Sequence, residues 1–146
     1  MSEEKIREIQ ERREKRKEAI KNAELEQYAS DLEAIEELEI KLGRVATIKV
    51  AFVEGQPTRA AIRTPTRQEY QRYRDLLTRA NANTNANAKA KAITEAQDQL
   101  AKAVWVYPEK REEQEKMVES SPGLLPAIVI AAGRLADGRD EDEGKD

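Results

Sequence analysis

The chain has no cysteine and no histidine among its 146 residues. Without cysteine there can be no disulfide, no thiol nucleophile and no thiolate metal site. Without histidine the usual nucleophile–base pairs and most transition-metal sites cannot be assembled. Glycine is scarce, with six residues, and none of them falls in a Walker or dinucleotide-binding pattern. Carboxylates are plentiful but read as solvated helix faces rather than as a paired acid and base in a cleft, and the acidic C-terminal run lacks the spacing of an EF-hand. No enzyme site, no cofactor and no metal is expected. Long apolar runs are missing too: the first 30 residues hold no signal-peptide core, and no stretch approaches the roughly 18 apolar residues needed to span a bilayer. A protein made and kept in a cytoplasm, without membrane contact, is the expectation.

What is present is charge. Charged residues make up 38% of the chain, hydrophobic residues another 38% and aromatics only 4%, so one modest core must carry long solvated helices or tails. The net charge of −3 hides a segregation: residues 1 to 43 sum to −4, 44 to 108 to +6 and 109 to 146 to −5. A basic middle invites phosphate contacts. Its bases are dispersed over several elements, however, and the acidic flanks compete for them, so nucleic acid is an unlikely partner.

Residues 3 to 42 contain neither Gly nor Pro and are rich in Glu, Lys, Arg, Ala and Leu, which favours one or two long helices. Its first half has only Ile6, Ile9 and Ile20 as large aliphatics, beside a basic cluster of Arg12, Arg13, Lys15, Arg16, Lys17 and Lys21. In the second half Leu25, Tyr28, Leu32, Ile35, Leu38 and Leu42 recur at spacings of three and four, an apolar stripe that should pack on something. Glu24, Glu26, Asp31, Glu33, Glu36, Glu37 and Glu39 read as its solvated acidic face. Gly43 is a natural C-cap.

From Arg44 to Val53 the pattern has period two, Gly55 and Pro57 signal a turn, and Arg59 to Thr64 returns as a second strand. Such a hairpin is marginal alone and needs a helix over its apolar face. The stretch from Arg63 to Leu77 supplies a candidate: Pro65 disfavours helix at Thr64, Thr66 and Glu69 can form a capping box, and Tyr70, Tyr73, Leu76 and Leu77 share one face as packing residues. In the low-complexity stretch from Asn81 to Lys91 the first part reads as loop and the alanine-rich part as the start of a helix, which runs through Val104 into the apolar run ending at Pro108, with Trp105 as a core anchor. A charged helix follows from Glu109 to Ser120, then Ser121, Pro122 and Gly123 break it. Pro126 suits the first turn of a last helix, in which Ile128, Val129, Ile130 and Leu135 should be buried. The acidic run from Asp137 has nothing to pack and is expected to be mobile.

The fold class expected is α+β, mostly α: a long N-terminal charged helix (1–43), one β-hairpin (44–64), then three to four helices packed on it, at about 66–80, 88–106, 109–120 and 125–136, and a disordered acidic tail (137–146). The order of signals resembles the tail assembly chaperone proteins of long-tailed bacteriophages and prophages. The similar pieces are Leu42-Gly43-Arg44-Val45-Ala46, Thr64-Pro65-Thr66-Arg67-Gln68-Glu69-Tyr70 with Tyr73, Val104-Trp105-Val106-Tyr107-Pro108, and Ser121-Pro122-Gly123-Leu124-Leu125-Pro126. They lie in roughly residues 42 to 136, and their order and spacing carry the likeness. The resemblance implies a non-catalytic protein of the bacterial host cytoplasm that holds a long helical partner, the tape-measure protein, while the tail assembles. Leu25, Tyr28, Leu32 and Ile35 of the first helix and Leu124, Leu125 and Ile128 of the last are the candidate partner-binding residues; Thr66, Glu69, Tyr70, Tyr73, Trp105 and Pro108 are structural. Alternatives are a structural virion component (a decoration or connector protein) whose N-terminal helix bridges subunits, a coiled-coil adaptor that forms homo-oligomers through that helix, or a weak nucleic-acid-binding protein.

Overall fold

The structure is a computed structural model and describes residues 2–138. Most of the acidic run expected to be mobile therefore lies outside the described residues. The chain is α+β and mostly helical: α1 (Glu3–Leu42), β1 (Val45–Lys49), β2 (Arg59–Arg63), α2 (Arg67–Asn81), α3 (Ala86–Val104), β3 (Trp105–Tyr107), α4 (Arg111–Ser120) and α5 (Leu124–Asp137).

Local chemistry explains most of these boundaries. Ser2 accepts the Lys5 N–H and starts α1, and Gly43, at φ 82°, donates its N–H to the Glu39 carbonyl and stops it. The extended backbone at Thr66 lets its hydroxyl accept the Glu69 N–H at 3.1 Å, while the Glu69 carboxylate accepts the Thr66 N–H at 2.9 Å. Asn85 caps α3 by accepting the N–H groups of Asn87 and Ala88, so the asparagine-rich stretch divides into loop before Asn85 and helix after it, as asparagine's preference for caps over helix interiors dictates.

The three strands form one antiparallel sheet in the order β1-β2-β3. Ala46 stands opposite Ile62, and Ile48 opposite Ala60. Alternation along a strand puts these four on one face, where they join Leu100, Val104, Trp105, Met117, Leu124, Ile128, Ala132 and Leu135 in the core. β1 is shorter than the period-two pattern suggests. Beyond Lys49 the chain leaves the ladder for a loop closed by Val50 N–H on the Thr58 carbonyl at 3.0 Å.

Three expectations are corrected. Residues 105 and 106 are not the end of a helix but belong, with Tyr107, to a third strand, with Ala61 opposite Tyr107 and Ile62 opposite Trp105 across an irregularity; three β-formers before a proline pair more favourably with β2 than they extend α3. The sheet's apolar face is covered by α5, while α2 packs along α3. α5 has the means to do this because small and branched residues fill its inner face, with Ile128 and Ala132 completely buried. Ile130 is not buried but 60% exposed, since it lies two residues from Ile128 and so about 200° around the helix.

α1 lies on the sheet's other face. Ala61, whose side chain points opposite to those of Ala60 and Ile62, is fully buried there, and α1 packs against both β1 and β2. No helix among the described residues is long and apolar enough to cross a membrane.

Candidate protein-interaction surface

A 40-residue helix is about 60 Å long, far longer than a five-residue strand can cover. α1 accordingly has two halves. Except for half-exposed Ile9, every residue from 3 to 22 is exposed, so roughly 30 Å of helix carries the basic cluster without cover from any other described residues. The second half docks through a narrow seam of Gln27, Tyr28, Asp31, Ala34, Ile35 and Leu38, all buried or half-buried.

The centre of that seam is Asp31, which the sequence reading placed on the solvated acidic face. It is instead completely buried. Its Oδ2 accepts the Thr58 N–H at 2.7 Å and the Thr58 hydroxyl at 2.5 Å. Its Oδ1 accepts the Gln27 side-chain amide at 2.9 Å and the Tyr107 hydroxyl. One carboxylate thus joins α1 to the β1–β2 connection and to β3. Four donors satisfy both oxygens, which is what makes its burial tolerable. Burial, and then the hydrogen bond to Asp31, push the Tyr107 hydroxyl well above the usual phenol range. The sequence did carry a signal: Tyr28, Asp31, Ile35 and Leu38 keep the three–four spacing, so an acid occupies a seam position.

This seam decides the fate of the candidate residues. Ile35 is buried at 3% exposure, and Tyr28 is half-buried with the Arg59 guanidinium 4.3 Å over its ring. Both belong to the docking of α1 on its own sheet. Leu25 and Leu32 sit roughly 100–120° round the helix from Asp31 and remain 56% and 48% exposed, so the apolar stripe splits into a docked part and a free part. On α5, Leu124 (3% exposed) and Ile128 (0%) are core residues and Leu125 is half-buried against that core; the first two are corrected from partner-facing to structural. Beside the seam runs a groove of about 680 Å³ between α1 and the β3–α4 segment, with Ala34, Leu38, Leu42, Val106 and Pro108 among its lining residues and Glu37, Glu109 and Glu113 also at it.

The residues read as structural hold the body that presents α1. Trp105 is buried at 6% exposure, and its indole N–H donates to the Tyr107 carbonyl at 2.6 Å. Pro108 is buried behind a cis peptide bond, and the Gln114 amide donates to the Pro108 carbonyl at 2.8 Å. Tyr70 and Tyr73 have ring centroids 6.0 Å apart. Tyr73 packs on the core, and its hydroxyl is pushed up by burial. Glu69 does more than cap α2. The Arg63 guanidinium donates to its two oxygens at 2.7 and 2.8 Å and to the Ala103 carbonyl at 2.7 Å. The clamp ties the end of β2 to the start of α2 and the last turn of α3. Hydrogen bonding from Arg63 holds the Glu69 carboxyl down at about 2.

Among the described residues no group of acidic side chains is placed to hold a metal ion. Compared with protein-family models, with curated proteins and with solved structures, the chain matches none of them.

Proposed function

We propose that this protein is a non-enzymatic assembly factor that binds a helical protein partner, and that its role is that of a phage or prophage tail assembly chaperone. The observation that carries the binding role is the free length of α1: a helix whose first 20 residues pack on nothing described, continued by the exposed Leu25 and Leu32. Solvated helices without apolar contacts are marginal unless something covers them, and another helix is the natural cover. The resemblance in the order of motifs between residues 42 and 136 supports a long helical tape-measure protein as that partner.

Co-expression tests the reading. The partner should stay soluble with this protein present and aggregate without it, and Leu25→Ser with Leu32→Ser should abolish the protection while leaving the thermal midpoint unchanged. Equal aggregation with and without the protein rejects the chaperone role. The same exposed half-helix supports a second reading, a structural virion component that bridges subunits. Mass spectrometry of purified particles separates the two, because an assembly chaperone is absent from the finished particle and a structural component is present in many copies.

A further inference from the structure

α2 buries one side against α3 and turns a different chemistry outward. Its exposed residues are Arg67, Gln68, Gln71, Arg72, Arg74, Asp75, Thr78, Arg79 and Asn81. The single acid among them, Asp75, accepts a hydrogen bond from the Gln71 amide at 3.1 Å. Glu69, the other acid of the helix, is occupied by Arg63. Among the described residues no ion pair engages Arg67, Arg72, Arg74 or Arg79, and three of the four border one shallow surface. Four unneutralised guanidiniums within 13 residues repel one another and attract a carboxylate-rich chain.

The sequence holds such a chain close by. α5 passes α2 near its end: the Tyr70 hydroxyl lies 3.8 Å from where a Cβ on Gly133 would stand. Arg67 and Arg74 flank Tyr70 at one turn on either side. α5 ends at Asp137, four residues past that contact and so about 6 Å from it along the helix. Directly after Gly138 come Arg139, then Asp140, Glu141, Asp142 and Glu143. Up to about 18 Å of extended chain leads from Gly138 to Glu143, enough to reach Arg67 and Arg74 on either side of Tyr70.

We propose that the outer face of α2 is a docking surface for acidic peptide chain and that its occupant is the chain's own acidic run at 140–143, which shields the arginines from other polyanions. Charge complementarity, adjacency and reach all favour this occupant. Tethering adds to them, because a segment attached a few residues away meets the surface at an effective concentration in the mM range. The assignment is independent of the assembly role.

The test uses the full chain with the run neutralised (Asp140→Asn, Glu141→Gln, Asp142→Asn, Glu143→Gln). At 50 mM NaCl the α2 amide and arginine Nε resonances should differ from wild type, and the difference should vanish at 0.5 M NaCl, where charges are screened within a few Å. A fluorescein-labelled single-stranded DNA 12-mer, used as a generic polyanion, should bind the neutralised chain about tenfold more tightly than wild type. Adding Arg67→Gln and Arg74→Gln should remove that gain. Coincident α2 resonances overturn the docking, unchanged oligonucleotide affinity overturns the shielding, and a wild-type difference that grows with protein concentration overturns the intramolecular assignment by placing the run on a second copy.

Discussion

Replacing Asp31 by Ala removes the acceptor on which four donors converge. The Thr58 N–H is buried with no other partner described, and leaving such a donor unsatisfied costs about 1–3 kcal/mol. The Thr58 hydroxyl, the Tyr107 hydroxyl and the Gln27 amide each lose a hydrogen bond, worth about 0.5–1.5 kcal/mol apiece, though the last two groups lie near enough to solvent to recover part of it. The expected cost is about 3–5 kcal/mol, a large share of the roughly 5–15 kcal/mol that holds a domain together. With a slope of about 2 kcal/mol per molar urea, the unfolding midpoint should fall by about 2 M. Asp31→Asn keeps one acceptor oxygen and should cost about half as much. Amide hydrogen exchange adds a spatial check, because protection of residues 24–40 and of the Thr58 N–H should fall together. The coupling can be isolated with Tyr107→Phe, which should cost about 1 kcal/mol in wild type and almost nothing in the Asp31→Ala background. Additive costs for the two substitutions, or a midpoint shift under 0.5 M, would refute the idea that this carboxylate anchors α1.

The Arg63–Glu69 clamp predicts a pH signature. Glu69 has a folded pKa of about 2, below the roughly 4.3 of an unfolded glutamate, so its stabilisation is complete above that unfolded value and is lost as pH falls toward 2. Glu69→Gln should cost about 1 kcal/mol at pH 6, a figure reduced for partial exposure, and urea midpoints of the two proteins should converge by pH 2; a gap independent of pH contradicts the assignment. Two glycines should respond in opposite senses to alanine. Gly43 has φ 82° with open space around it, so Gly43→Ala should lower stability by roughly 1–3 kcal/mol through backbone strain alone. Gly133 is helical and its new Cβ would meet the Tyr70 hydroxyl at an ordinary 3.8 Å, so Gly133→Ala should raise the thermal midpoint, by about 0.5–1 kcal/mol of helix propensity. Finally, Ile128→Ala should cost about 2–5 kcal/mol while Ile130→Ala changes stability by less than about 0.5, a contrast that equilibrium unfolding resolves directly and that equal costs would contradict.

Everything settled within a few residues was determined by the sequence itself. Gly43 ends α1, Thr66 and Glu69 start α2, Asn85 starts α3, and period-two alternation marks β1, because caps and side-chain alternation depend on partners no more than four residues away. The α+β, mostly helical class follows from the same signals. Tertiary structure decided which surfaces meet. Nothing local distinguishes α2 from α5 as the cover of the sheet, and the choice rests on which inner face fits Ala46, Ile48, Ala60 and Ile62. Trp105 to Tyr107 become a strand only because β2 has a free edge 40 residues earlier. The same holds for the surface of α1: a stripe with leucines at 25 and 32 and an aspartate at 31 has two possible buried sides. Thr58 and Tyr107, distant in sequence, turned Asp31 inward and left Leu25 and Leu32 free, since four donors in one place stabilise a buried carboxylate by more than two exposed leucines cost.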